Sequence, residues 1–393
     1  MSAAPKPTPL AVLARRARAL AVVVGCVAGL STLAAPAAGA RGLAPWQSAP
    51  HAAAVDYLGL ARQGVARTSA WRNRRYRWYN EWLNDRKRYP QATIWGIVPL
   101  FEALDGIAVA SPTKANRAAV VAFARHAERY FDRHLSPHGG YAPYPDERGR
   151  PQTWFDDNGW WGLAFMDAYR ATGNRRYVGD AQRAFDYAAA AGWDPSVGGL
   201  WWNTGHPYKS GEAFASQTLL GAELYVATHR AGTLATVDRY VSWSDSQLRA
   251  DDGILYVKSE REPIPMPYEE GPVTLAEQLL CQATAQNERC QKAGQMAERL
   301  VERFPELAMG PQFDAIYLHT MLQYGQLAND GRWLEMARFE ADRALANAGS
   351  GGGLYLRAWD GSDMAAHQAR PGMLRTHAAT VELFAWLAAT PGH

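Results

Sequence analysis

Trp154-Phe155-Asp156-Asp157-Asn158-Gly159-Trp160-Trp161 opens a stretch that turns at Thr172-Gly173-Asn174 and closes at Gly192-Trp193-Asp194. Helix-forming periodicity fills 157–172 and again 175–191. Gly and Asn tolerate the left-handed conformation that ends a helix, so the three residues between read as a tight link. The stretch is a helical hairpin. Working outward, the same unit recurs: amphipathic segments lie near 51–84, 92–108, 114–134, 211–229, 233–249, 272–286, 289–303, 311–328, 331–347 and 374–389. Stops of the same kind fall at Asn329-Asp330-Gly331 and Gly349-Ser350-Gly351. Short links alternate with long, aromatic-rich ones at 135–156, 192–210, 250–271 and 348–373. Twelve helices in that rhythm make six hairpins, each able to bury its apolar face only against its neighbours. The expected fold is therefore all-α, an (α/α)6 barrel with inner and outer helices. Its inner helices are the more apolar ones, as in Leu219–Leu224 and Ala378–Phe384. The long loops then gather at one end, around the N-termini of the inner helices, and a cleft belongs there.

Composition supports a binding cleft. The 393 residues are 48% hydrophobic and 20% charged, which excludes disorder. Fifteen Trp and 18 Tyr outnumber 11 Phe. Trp and Tyr join a flat apolar face to a polar tip, which suits both cores and wet sugar-binding grooves.

The first 40 residues read as a secretory signal peptide. Lys6, Arg15, Arg16 and Arg18 precede an apolar run, and Ala38-Gly39-Ala40 is an A-x-A cleavage site. The run is slightly short for a membrane span. Cys26 follows a weak lipoprotein-like Val23-Val24-Gly25. The expected products are a signal peptide at 1–40 and one domain at 41–393, secreted or held at the cell envelope. Losing those four positive residues takes the formal charge from +3 to −1. No basic field remains for polyanions, and no nucleic-acid partner is expected. Two cysteines remain, Cys281 and Cys290, and an oxidising compartment predicts a disulfide between them. With no Cys or His cluster beside them, zinc is disfavoured there.

Asp156 and Asp157 carry the chemistry of the opening stretch. One Asp would suffice as a helix cap, and a cap is the plain alternative. Two carboxylates at a helix N-terminus, among large aromatics, have their proton affinities driven apart, which separates an acid from a nucleophile. Glycoside hydrolysis requires such a pair. Gly198-Gly199-Leu200-Trp201-Trp202-Asn203, followed by Tyr208-Lys209-Ser210, presents aromatics in a loop or packs as a small hairpin. Tyr268-Glu269-Glu270-Gly271-Pro272 precedes another inner helix; its acids bind sugar hydroxyls or decorate a helix end. Asp314 and His377 start two further inner helices, and Trp95 lies at the start of the 92–108 segment.

These stretches resemble glycoside hydrolase family 76, the α-1,6-mannanases and their transglycosidase relatives. The likeness rests on Phe155-Asp156-Asp157-x-x-Trp160-Trp161, then Gly198-Gly199-Leu200-Trp201-Trp202-Asn203, then Tyr208-Lys209, in that order, and spans about 50–390. It implies an (α/α)6 barrel and endo cleavage of α-1,6-mannan with retention. By the same resemblance Asp156 is the nucleophile and Asp157 the general acid/base. Trp160, Trp161, Trp201 and Trp202 fall on the family's cleft-side aromatics; with Trp95, Asn203, Lys209, Tyr268, Glu269, Glu270 and Asp314 they make up the candidate sugar-binding residues. No metal or organic cofactor is implied, and a monomer acting on an α-mannan or mannose-bearing lipoglycan is expected. One departure stands out. Relatives commonly have Tyr-Asn-Gln-Gly where this chain has Tyr268-Glu269-Glu270-Gly271, which puts linkage preference in question.

Rival readings stay open. Sugar epimerases share helical toroids but use His pairs. A non-catalytic glycan-binding protein would use the Trp platforms and keep the Asp pair as a cap; a transglycosidase would use both. Residues 62–88 carry nine positive and two negative charges around Trp71, Tyr76, Trp78 and Tyr79. That stretch is a solvated helix face or a weak docking site for an anionic envelope surface. The H-E-x-x-H, G-x-S-x-G and P-loop motifs are absent from the sequence.

Overall fold

The computed structural model describes residues 44–47, 55–83, 91–147, 149, 151–364 and 372–391. The expected signal peptide and Cys26 lie outside them. Among the described residues twelve α-helices follow one another: α1 Tyr57–Arg67, α2 Ile94–Ala110, α3 Lys114–Ala127, α4 Phe155–Thr172, α5 Arg176–Tyr187 and α6 Gly211–Thr228. Then come α7 Ala231–Gln247, α8 Pro267–Thr284, α9 Asn287–Arg303, α10 Pro311–Ala328, α11 Arg332–Asn347 and α12 Leu374–Ala389. Even-numbered helices pack in a closed ring, α2 on α4, α4 on α6, α6 on α8, α8 on α10, α10 on α12, and α12 back on α2. Odd-numbered helices pack outside them, and α1 covers α12. The barrel of six hairpins expected from the sequence is the fold observed.

The inner ring exists because its helices are buried nearly all round. In α6 every residue from Gly211 to Leu224 is buried, polar ones included. Outer helices bury one face only; α9 buries Ala293, Met296, Ala297 and Leu300, a 3–4 spacing. Cys281 on α8 and Cys290 on α9 form the expected disulfide, with Cα atoms 5.3 Å apart. Four inner helices end in a left-handed residue: Gly173, His229, Ala285 and Asn329. Gly and Asn reach that conformation readily; His229 and Ala285 do so without the usual signal.

Two expectations fail locally. Segment 51–84 was expected to be one helix, but α1 stops at Arg67. A 3-10 turn, Thr68–Trp71, leads into a hairpin of β1 Arg72–Asn73 and β2 Trp78–Tyr79. Trp71 and Trp78 are buried while Arg72, Arg74, Arg75 and Arg77 between them are exposed, and a seven-residue spacing also fits one helical face, so periodicity did not mark the turn. Likewise α3 ends at Ala127, before β3 Phe131–Asp132 pairs with β4 Gly140–Tyr141. Among the described residues no helix is long and apolar enough to cross a membrane.

The long loops do gather at the N-terminal end of the inner ring, and backbone bonds hold them there. Phe155 N donates to Trp202 O (2.9 Å), Ile94 N to Pro143 O (3.1 Å) and Leu374 N to Glu81 O (2.9 Å). Amides at the starts of inner helices lack an intrahelical acceptor. Carbonyls from adjoining loops satisfy them and so fix each loop over the barrel mouth.

Candidate active site

At that mouth lies a cleft of about 790 Å³. Asp156 and Asp157, in the first turn of α4, face it. Phe155, fully buried, anchors the turn. Trp202 Nε1 donates to Asp156 Oδ2 at 3.1 Å, while Asp156 Oδ1 has no hydrogen-bond partner. Burial raises the proton affinity of Asp156, as do the charges of Asp157 and Glu212; the Trp202 donor opposes them. Burial is also the main cause at Asp157, with the Glu81 charge adding and Arg375 opposing, and its pKa rises to about 7. Both carboxyls are thus pushed toward the neutral form and titrate as a coupled pair. An indole N–H can only donate, so the Trp202 bond works toward the charged form of Asp156.

Aromatic rings wall the cleft in two sets. On the α4–α6 side Trp202 stacks on Tyr208 (centroids 5.3 Å apart, 17°) and meets Trp154 edge-on. On the other side Phe313 of α10 lies between Trp95 (5.4 Å) and Tyr268 (4.8 Å). Trp160 forms the floor. Lys258 Nζ bonds Glu262 at 2.6 Å and is 3.9 Å from Glu212, whose Oε2 accepts from Ser210 Oγ at 2.6 Å.

Of the residues expected to touch sugar, Trp95, Trp160, Trp202 and Tyr268 line this cleft with the Asp pair. The others stand behind it. Trp161 is fully buried among Phe101, Tyr130 and Phe165. Adjacent helix residues point about 100° apart, so Trp160 and Trp161 cannot share a wall. Trp201 lies under Lys209, whose Nζ is 3.5 Å from the ring centroid and 2.7 Å from Asp194 Oδ2. Asn203 Oδ1 accepts from Gly205 N (2.8 Å) and shapes a turn. Glu270 accepts from Tyr256 N (2.7 Å), and Asp314 from Gly310 N (3.0 Å) and Met309 N (3.3 Å). Glu269 is buried against the start of α6, where a Cβ on Gly211 would fall 2.4 Å from its Oε2. Glu270 thus supports a loop, and neither Glu269 nor Glu270 lies on the cleft wall. His377 is structural too: Tyr355 N donates to its Nδ1 (3.1 Å), and its Nε2 is 2.9 Å from Gly64 O.

Sequence reading missed Glu81, Glu147, Glu212, Lys258, Glu262, Phe313 and Arg375 as wall residues. Two carried a signal. Glu212 is a first-turn acid of an inner helix, as Asp157 is. Arg375 is a cation in the first turn of α12, where the helix dipole disfavours one. Glu81 had none, because its segment read as helix.

Comparison with known proteins returns the same family. The model of glycosyl hydrolase family 76 matches residues 126–298, which include both aspartates and the Gly198–Asn203 loop. No curated protein matches the chain. Among solved structures, a family 76 glycoside hydrolase (mannosidase) from Bacteroides thetaiotaomicron superposes with a TM-score of 0.73 at 19% identity, covering 85% of this chain and 98% of that one. An α-1,6-mannanase from Salegentibacter sp. superposes at 0.69 and 16%, covering 86% and 100%. That structure is an inactive variant, with aspartates at two consecutive positions replaced by alanine, in complex with an α-1,6-linked mannotetraose. A cellobiose 2-epimerase from Spirochaeta thermophila superposes at 0.58 and 12%, covering 85% and 96%. The barrel alone therefore does not choose the reaction.

Proposed function

With a family 76 match across the catalytic segment as premise, we propose that this chain is a glycoside hydrolase acting on mannan, cleaving α-1,6-mannosidic bonds within the polymer and retaining anomeric configuration. The observation that carries the reading is the Asp156–Asp157 pair, set in an aromatic cleft where burial raises the proton affinity of both carboxyls. Asp156, its charge favoured by the Trp202 N–H, attacks the anomeric carbon. Asp157 gives its proton to the departing glycosidic oxygen, so the C–O bond breaks as the glycosyl–Asp156 ester forms. Asp157, now ionised, takes a proton from water; that water's oxygen adds to the anomeric carbon and Asp156 leaves as carboxylate. If another sugar hydroxyl replaces water, the same steps give transglycosylation. Aromatic sets on both sides of the pair supply subsites for an extended chain, which supports internal cleavage.

The test is incubation with linear α-1,6-mannooligosaccharides, followed by mass spectrometry and anomeric NMR. Wild-type protein should release shorter α-anomers, and folded Asp156→Asn and Asp157→Asn variants should lose at least about a thousandfold in rate. Retained binding with no cleavage by wild type would instead support a glycan-binding protein. The reading includes export as a monomer; N-terminal sequencing of secreted material and light scattering check those two points. Arg72, Arg74, Arg75 and Arg77, exposed together on the β1–β2 hairpin, support a weak second contact with an anionic envelope surface. Vesicle binding that resists salt would count against it.

A further inference from the structure

Below the cleft floor, on the barrel axis, a second and much smaller cavity of about 20 Å³ is lined by Glu102, Asp167, Glu223, His319 and Gln323 among apolar residues. Trp160 borders both spaces, as floor of one and ceiling of the other. The volume suits one water or one ion. Glu102 comes from α2, Asp167 from α4 and His319 from α10. All three are buried, and each offers one ligand atom within 4.8 Å of the others. Nothing in the proposed glycosidase mechanism uses them.

We propose that Glu102, Asp167 and His319 bind a zinc-class divalent cation on the barrel axis, clamping three inner helices beneath the cleft. Asp167 Oδ2 lies 3.6 Å from His319 Nε2. Zinc bonds of about 2.0–2.2 Å place the ligand atoms of a tetrahedral site about 3.4 Å apart. One imidazole with two carboxylates matches that borderline metal better than calcium or magnesium, which take oxygen ligands.

The surroundings point the same way. No amide, hydroxyl or guanidinium donates to Glu102 Oε2, although the residue is only 5% exposed. Arg170 engages Asp167 through Oδ1 and Glu223 through Oε1, which leaves Asp167 Oδ2 toward the imidazole. Arg170 is shared between Asp167 and Glu223, while Glu102 and fully buried Glu382 pair with each other, carboxyl to carboxyl. The His319 ring is oriented by stacking on Trp386 (centroids 3.9 Å, 20°). Its Nδ1 lies 3.7 Å from Glu382 Oε1, beyond hydrogen-bond reach, and a small closure on metal binding would make that carboxylate the usual support of a metal-bound imidazole. Gln323 Nε2 is 2.7 Å from His319 Nε2. Turning that amide would bring its oxygen in as a further ligand, since amide O and N positions are interchangeable by rotation. Gln323 lines the cavity and is half-buried.

The test uses the full chain dialysed against chelator. Isothermal titration with Zn²⁺ should give one site per chain, and Co²⁺ should give visible absorption bands of tetrahedral coordination. His319→Gln and Glu102→Gln should each weaken Zn²⁺ binding at least about tenfold and abolish the Co²⁺ bands. Glu382→Gln, which keeps the ligands, should weaken binding less, and serves if either ligand variant fails to fold. Asp157→Asn should keep the stoichiometry, which separates this site from the catalytic carboxylates. Absence of uptake by folded wild type, unchanged uptake in the ligand variants, or Ca²⁺ displacing Zn²⁺ would each overturn the proposal. The family resemblance implied no metal, so the site would be a feature of this chain's own axis.

Discussion

The acid role proposed for Asp157 depends on the residues around it. Burial raises its pKa to about 7, the Glu81 carboxylate adds to the rise, and the Arg375 guanidinium opposes it. In a pH profile of kcat/KM the alkaline limb reports loss of the Asp157 proton from free enzyme. Glu81→Gln removes a negative charge and should move that limb to lower pH. Arg375→Met removes a positive one and should move it to higher pH. Limbs that stay put, or move together, would dismiss Asp157 as the titrating acid. Trp202→Phe removes the donor to Asp156 Oδ2 while leaving an aromatic face. A hydrogen bond to a charged group contributes about 1.5–3 kcal/mol, so kcat should fall roughly ten- to a hundredfold with KM little changed.

Helices of the inner ring approach so closely that glycine is required at particular crossings. A Cβ on Gly159 of α4 would lie 2.2 Å from Ser216 Oγ and 3.1 Å from the Ser216 backbone carbon on α6. Gly159→Ala should therefore destabilise the protein by about 1–3 kcal/mol, read as a lower thermal midpoint. Gly179 on outer α5 meets nothing within 4 Å. Gly179→Ala should instead stabilise by about 0.5–1 kcal/mol, because alanine has less chain entropy to lose. Equal effects at the two positions would deny the difference between ring and shell. Element positions were largely legible in the sequence: α4, α10 and α12 begin and end within two residues of expectation. The 51–84 segment was not, because buried Trp71 and Trp78 flank a turn that periodicity cannot distinguish from a helix with exposed arginines.

One contact joins the first and last described helices across the whole molecule. His377 of α12 bonds to Gly64 O of α1, 313 residues earlier, and accepts from Tyr355 N in the last long loop. Burial lowers its pKa from 6.5 to about 4, although the bond to Gly64 favours the charged form. The folded chain thus takes up this proton only near pH 4, whereas the unfolded chain does so near 6.5. Between those values the unfolded state binds more protons, so the contribution of His377 falls as pH drops from 6.5 to 4, by about 3 kcal/mol. Buried carboxyls with raised affinity act in the opposite sense, so a variant must isolate the effect. His377→Gln can donate to Gly64 O and accept from Tyr355 N without titrating. Its stability relative to wild type should rise as pH falls through that window; a constant difference would rule out this linkage.

The sequence by itself determined the six-hairpin rhythm, the end of the barrel where the loops collect, the Cys281–Cys290 bond and the aspartate pair. Each is local: a period, a stop signal, a short spacing or an adjacency. Only the tertiary structure decided which residues face the cleft. An inner helix is buried all round, so its periodicity does not say which side faces the mouth, the axis or the shell. Trp160 and Trp161, neighbours in one motif, were separated on that ground into cleft floor and core. Glu81, Glu212 and Arg375 reach the Asp pair from three distant parts of the chain. Their convergence depends on ring closure, which no window of sequence contains.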